Sequence, residues 1–297
     1  MAIVSDNWAE LLTPGLRAIF GQHQREMKDY ISLIFNVETS TKAFEQFLGT
    51  GELGIMDEWS GKVSYEDFDK GFKQTFTHKK YSKGMQLERE LVDDDQYSEI
   101  KNRTKKLSRV TYYTRQIHGA SVFNNAFHGG YSGPDGKPLC ATDHPKMPGS
   151  SATFSNMGTL DLTADNVETT RTNALQWTDD KDNKILTQLD TILVPSAQRK
   201  KALIIAETDE EPDTTEHGIN VWKGNLKVIE WPFLTNAKAW FMLDSARSKE
   251  ELLWFDRRKP DFANQVDFDT EIAKYKVIGR WSFGWLSPLF IYGNNPS

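Results

Sequence analysis

The chain reads as an α+β protein, and three features of its 297 residues say so. Helical periodicity dominates 97–127, strand-like alternation dominates the last third and is plainest over 273–285, and no repeat or low-complexity tract divides the chain into independent modules. A mass of 34.0 kDa with 38% hydrophobic and 26% charged residues suits a globular protein with a substantial core. The single cysteine, Cys140, excludes an intrachain disulfide, and residues 1–10 lack the basic start and apolar stretch of a secretory signal, so a reducing cytoplasm is expected. No apolar run approaches the roughly 20 residues of a membrane span. A net charge of -6 argues against a protein that grips nucleic acid by neutralising phosphates. Aromatics are heavy at 12%, with nine tryptophans, enough to fill a core, interfaces or both.

Taken in order, a short helix is expected over 39–48, followed by a long excursion, 49–95, of scattered glycines, lysines and aromatics. Within it, 62–65, 73–77 and 86–91 read as strand pieces of a hairpin. So long a stretch with so few periodic apolar positions carries no core of its own and makes sense only if it packs on something else. Over 97–127, Ile100, Leu107, Val110, Ile117, Ala120, Phe123 and Phe127 recur at helical spacing, predicting a rod of about 45 Å. Asp93, Asp94 and Asp95 stand where carboxylates cap a helix and complement its dipole, and Gly129-Gly130 stand where it should stop.

A turn-rich stretch, 131–156, has Gly133-Pro134-Asp135-Gly136 as its tip. Thr163 predicts the N-cap of a helix reaching about Trp177, with Leu162 and Val167 spaced as a hydrophobic staple. Residues 189–194 read as a buried strand stopped by Pro195, with Ser196 capping a helix to Ala206. A second excursion, 207–218, carries six acidic residues and reads as a solvated loop. Strands come next at 227–230, 239–243, 251–255 and 265–268. In the last, 273–285, Ala273, Tyr275, Val277, Gly279, Trp281, Phe283 and Trp285 share one face.

The chemical motifs do not assemble into an active site. Gly49-Thr50-Gly51-Glu52-Leu53-Gly54 spells the dinucleotide fingerprint, but the preceding residues read as a helix rather than a strand, and Trp59-Ser60-Gly61 breaks the helix that the fingerprint needs on its C-terminal side. Cys140 and His144 suggest a nucleophile and base without an orienting partner or an oxyanion motif, and His118 and His128 add no paired cysteine for zinc. The run 179–183 resembles a calcium loop, yet counting from Asp180 puts Ile185 at the sixth position and Thr191 at the twelfth. Neither Asp93-Asp94-Asp95 as a magnesium site nor Gly136-Lys137 as a phosphate loop has the surrounding pattern. No catalytic, metal or cofactor residue is expected, and the chain is read as a non-enzyme.

A long unsupported loop, a long helix and many aromatics suit an assembly subunit. Six segments carry a closer likeness: Leu12-Thr13-Pro14-Gly15-Leu16-Arg17-Ala18-Ile19-Phe20, Glu58-Trp59-Ser60-Gly61, Val92 leading into the three aspartates, the stretch from Asp135 to Pro145, Leu193-Val194-Pro195, and the closing stretch from Trp281 to Tyr292. Together they resemble the major capsid proteins of tailed bacteriophages, and among them the Mu-like major head subunits. The resemblance implies the Hong Kong 97-like fold, with an N-terminal arm at 1–48, an extended loop at 49–95, a peripheral domain at 96–188 and 265–297, and an axial domain at 189–264. It implies a virion protein, assembled in the host bacterial cytoplasm through hexamers and pentamers into an icosahedral shell around double-stranded DNA that it contacts weakly and non-specifically.

Residues 1–38 leave no room for a scaffold-like segment, so scaffolding is expected from a separate protein or is unnecessary, with portal and decoration proteins as further partners. On this map Trp59, Phe68, Phe72 and Phe76 form a subunit interface, buried against the neighbour's long helix, while Ile117, Phe123, Leu193, Tyr275 and Trp281 carry the subunit's own core. Two alternatives compete: an encapsulin-like compartment shell, and a cytosolic hydrolase using Cys140 and His144.

Overall fold

The computed structural model describes residues 8–59, 61–63, 65–94, 96–210, 218–267, 270 and 272–297. Two sheets and one long helix organise them. Helix α1 (Trp8–Glu26) and the short α2 (Tyr30–Ile34) lead into strands β1 (Asn36–Thr39), β2 (Phe44–Thr50), β3 (Lys70–Thr77) and β4 (Lys79–Leu87). A single turn, α3 (Glu90–Asp93), precedes α4 (Tyr97–Asn124), whose 28 residues span about 42 Å. Short strands β5 (His144–Pro145), β6 (Thr153–Phe154) and β7 (Met157–Gly158) come after it, then α5 (Ala164–Ala174), β8 (Thr191–Val194), α6 (Arg199–Glu207), β9 (Lys227–Glu230), β10 (Trp240–Leu243), α7 (Ser245–Glu251), β11 (Leu252–Val266), β12 (Ala273–Trp285) and β13 (Ile291–Asn294).

One sheet has the order β1-β11-β12-β4, with β1 parallel to β11 and the rest antiparallel. The alternation of β12 decides which face is covered. Tyr275, Val277 and Trp281 are buried under α1 and α4, whereas Lys274 and Lys276 on the opposite face are exposed. The second sheet runs β7-β13-β10-β8-β9. Its strands β8, β10 and β13 are buried at every position, which is why β8 and β10 read as near-continuous apolar runs rather than alternating ones. Helix α4 joins the two cores: Ile100 and Leu107 pack with Leu16, Phe20 and Tyr275, while Ala120 and Phe123 pack with Trp231, Phe241 and Trp254.

Several expectations hold. Strand β12 has the predicted bounds, and Thr163 caps α5 by accepting from the Asn166 amide at 3.3 Å, with Leu162 and Val167 both buried. Gly136, at φ +77°, closes the turn that starts at Gly133.

Others need correction. The helix expected over 39–48 is β1 and β2 instead. Val37, Glu38 and Thr39 pair with Trp254, Phe255 and Asp256, and β2 alternates in burial, so ladder pairing overrides local helix propensity. Among the described residues, 62–65 forms no strand, and 86–91 splits between the end of β4 and α3. Strand β3 pairs with β2, and β4 with β12, so the projection is a β2–β3 ribbon. Gln96 precedes α4 without a side-chain cap, Asp93 pairs with Arg89 at 3.5 Å, and Asp95 lies outside the described residues.

The long helix stops at Asn124, before Gly129-Gly130: the next amide, Ala126, turns to the Phe123 carbonyl at 3.1 Å, tightening the end, and the Asn125 side chain adds a bond to the Ser121 carbonyl at 2.8 Å. Helix α5 likewise stops at Ala174, short of Trp177. Ser196 caps nothing; its hydroxyl donates to Glu230 at 2.6 Å and a 3-10 turn precedes α6. The strands expected at 251–255 and 265–268 are one 15-residue strand, β11, kinked by register shifts around Arg258, with Phe268 outside the described residues. Most of the acidic excursion, 211–217, is also outside them. Ile117 is 52% exposed and drops out of the expected core, in which Phe123, Leu193, Tyr275 and Trp281 remain buried.

Candidate assembly surfaces

The β2–β3 ribbon is anchored at its base and uncovered at its tip. At the base Phe47, Phe76 and Phe255 form an aromatic cluster, with ring centroids 5.3 to 5.9 Å apart. His78 lies buried beside it, with Nδ1 2.8 Å from the Ser282 hydroxyl and Nε2 3.0 Å from that of Ser40; burial lowers its pKa. Where the ribbon narrows, Gly49 and Gly71 face one another so closely that a Cβ on Gly71 would lie 2.6 Å from the Gly49 carbonyl carbon. No side chain fits at Gly71, and Gly49 is tight, with a Cβ there 3.3 Å from the Phe72 carbonyl oxygen, which accounts for a glycine in β3 opposite the segment that mimics a nucleotide motif. Strand β2 runs into that motif, but no helix lies between it and β3 among the described residues.

Beyond the glycines the chain from 51 to 69 leans on a turn of its own subunit. The Glu52 amide donates to Asp180 at 3.1 Å, and Lys181 pairs with Glu66 at 2.8 Å and Asp69 at 3.4 Å. The run that resembles a calcium loop is thus a strut under the tip. Lys146 closes that turn from the other side, bonding Thr178, Asp179 and Asp182. No group of three or more metal-ligating side chains occurs among the described residues.

The four expected interface residues divide. Trp59 is 70% exposed and Phe68 60% exposed, Phe72 is half-buried, and Phe76 is buried in the base cluster. Phe76 therefore packs within the subunit, because β3 carries it onto Phe255 and Leu253. Sequence reasoning missed Ile55, Met56 and Tyr65, which stand more exposed than Trp59. The available signal was a set of large apolar residues in a stretch with neither helical nor strand period. A second uncovered surface runs along α4, where Lys106, Val110, Tyr113 and Ile117 share one helix face and all are exposed.

Cys140 and His144 lie in the interior and serve structure. Burial pushes the Cys140 thiol up, far from a reactive thiolate. His144 is wholly buried, with Nδ1 2.6 Å from Asp135 and Nε2 3.1 Å from the Asn156 side-chain oxygen, and Asn156 also donates to the Leu139 carbonyl. That network fastens the 131–156 turns to the second sheet.

A family profile described as phage capsid protein matches residues 72–294, three quarters of the chain. The chain belongs to the phage capsid protein family. The capsid subunit also shares its fold with solved shells. The procapsid protein of bacteriophage JBD30 aligns over 97% of this chain and 76% of its own, at TM-score 0.55 and 16% identity. The capsid of cyanophage P-SCSP1u aligns over 91% and 88%, at TM-score 0.58 and 11% identity. A virus-like particle from Pyrococcus furiosus aligns over 95% and 98%, at TM-score 0.55 and 8% identity. No curated protein matches the chain by sequence.

The fold is thus Hong Kong 97-like, and the subunit is a major capsid protein, a structural component of a multi-subunit shell in the virion. The family match favours the phage shell over an encapsulin-like compartment.

Proposed function

We propose that the capsid subunit assembles through hexameric and pentameric rings into an icosahedral shell around double-stranded DNA, and that a neighbouring subunit covers its loop tip in each ring. The observation that carries this is the tip itself: Ile55, Met56, Trp59, Tyr65 and Phe68 are all at least 60% exposed on a ribbon with a well-packed base. Such a density of exposed apolar side chains is sustained when a partner removes it from water, and one patch repeated around a ring makes heterologous contacts that close. The domain division into arm 1–48, loop 49–95, peripheral domain 96–188 with 265–297, and axial domain 189–264 belongs to this proposal. In it β13 crosses over to pair with β10 of the axial sheet.

Shell formation takes place in the bacterial host's cytoplasm, with separate scaffolding, portal or decoration proteins as partners, and the subunit catalyses nothing. Contact with packaged DNA is weak and independent of sequence, as the net charge of -6 favours.

Replacing Trp59 with Ala tests the reading. A large aromatic lost from a packed contact should cost about 3 kcal/mol at each repeat. Assembly, measured by negative-stain microscopy and sedimentation, should fail while the dissociated subunit keeps its circular dichroism and cooperative melt. Normal shells from Trp59→Ala, or an unfolded subunit, would place the loop in an intramolecular core and end the proposal.

A further inference from the structure

The face of the first sheet turned away from α1 and α4 carries a row of cations that the subunit leaves almost uncompensated. Lys80 on β4, Arg280 on β12 and Arg258 on β11 are direct cross-strand neighbours in the ladder. Like charges placed opposite one another on adjacent strands destabilise a sheet. Arg257 joins them, and the four line a recess of about 270 Å³ floored by Ile278. The one ion pair among these four within the described residues joins Arg258 to Asp261 at 2.6 Å.

Two of the guanidinium groups are pinned rather than free. Arg280 donates to the His78 carbonyl at 3.1 Å and Arg257 to the Lys42 carbonyl at 3.0 Å, which fixes their positions and leaves their charge unneutralised. A recess with an apolar floor and a pre-oriented cationic rim accepts a side chain that is apolar at its end and anionic at its flank.

The loop tip has that composition. Between 51 and 69 stand Glu52, Asp57, Glu58, Glu66, Asp67 and Asp69 against Lys62 alone, and Asp57 and Glu58 immediately precede the exposed Trp59. Glu66 and Asp69 are taken by Lys181; among the described residues Asp57, Glu58 and Asp67 form no ion pair.

Within its own subunit the tip is tied elsewhere, to the turn at Asp180 and Lys181. The ladder runs from Phe44↔Thr77, beside the recess, to Thr50↔Lys70 at the tip, a separation of about 20 Å held open by backbone hydrogen bonds. A tip that fits a base about 20 Å behind it is a head-to-tail pair, the geometry that closes rings.

Resting on the loop reading above, we propose that Asp57-Glu58-Trp59 of one capsid subunit docks in the Lys80/Arg257/Arg258/Arg280 recess of a second copy, with the indole over Ile278 and the arginine stems and the two carboxylates against the cationic rim. The stripe Lys106, Val110, Tyr113 and Ile117 on α4 is the rival acceptor. Val110 of that stripe lines a recess of only about 40 Å³, against about 270 Å³ for the cationic one, and a buried aromatic anchor needs a seat large enough to hold it.

A charge swap in the full chain tests this. Lys80→Glu/Arg258→Glu leaves both pinned arginines in place and should raise the concentration needed for association about tenfold or more, as should Asp57→Lys/Glu58→Lys. The quadruple variant should return to within about threefold of wild type. If the recess pair melts below wild type as a subunit, Lys80→Gln/Arg258→Gln replaces it, and its association should lose most of the salt sensitivity that wild type shows.

Normal association of the recess variants, failure of the quadruple variant to recover, or recess variants that build shells yet lose packaged DNA would each overturn the docking. So would an effect confined to Lys106→Glu/Arg109→Glu, which assigns the tip to the helix. Trp59→Ala separates the two claims: if it blocks assembly while the swap does nothing, the loop is covered elsewhere, and if it assembles normally, the loop reading fails with this one.

Discussion

Arg115 and Asp256, 141 positions apart, meet in the fork-to-fork geometry that only arginine and a carboxylate form, with contacts of 2.7 and 3.1 Å. The Trp254 indole donates to the same carboxylate at 3.0 Å, and the guanidinium lies over the Trp254 and Trp281 rings at 5.0 and 5.3 Å. Removing the cation leaves a buried, unpaired charge, so Arg115→Met should cost about 3–5 kcal/mol in urea denaturation of the dissociated subunit. Neutralising the partner as well, in Arg115→Met/Asp256→Asn, should recover much of that.

Glu251 makes the opposite case. Burial pushes it up to about 7, with Arg247 opposing and Glu250 assisting. The folded subunit then holds a proton that the unfolded chain has already shed between about pH 4.5 and 7, so stability falls as pH rises through that window, by at most about 3 kcal/mol, and falls no further on this account above it. Glu251→Gln should flatten the dependence, as read from denaturation midpoints at about pH 5 and 8.

At the scale of elements, strand β12 and ribbon β2–β3 divide folding from assembly. Trp281 on β12 stacks on Tyr81 at 4.5 Å and on Trp254 at 6.1 Å, and its indole N–H points to Nδ1 of His118 at 3.2 Å. It belongs to the core that joins the first sheet to α4. Trp281→Ala should therefore cost about 3–5 kcal/mol and lower the subunit's own melting temperature, as differential scanning calorimetry would record, unlike the change at Trp59. The ribbon illustrates how an element is read wrongly from its own letters. Residues 44–48 carry good helix formers, and what makes them a strand is Phe47 seated on Phe76 and Phe255, partners supplied by distant parts of the chain.

For the whole molecule, a packed interior and an unfinished surface coexist. The tip, the α4 stripe and exposed Leu186, Ile219 and Val221 are apolar areas that a solitary subunit leaves wet. Purified full-length protein should accordingly form rings or closed particles as its concentration rises through the micromolar range, seen by sedimentation and electron microscopy. A monodisperse 34.0 kDa species throughout would contradict the assembly reading.

The amino-acid sequence alone determined the fold class, the long helix, strand β12, the Thr163 cap and the membership of an assembly family, because each rests on local periodicity, a cap or a short motif. It also marked the loop as a segment without a core of its own. Only the tertiary structure decided that Phe76 faces inward while Ile55 and Met56 face outward, and that Ile117 leaves the core. Only there does Lys181 become a strut and do four cations from three strands converge on one recess. Those outcomes depend on strand register and on partners tens to hundreds of positions away, and a one-residue change of register would turn each of those strand side chains to the opposite face.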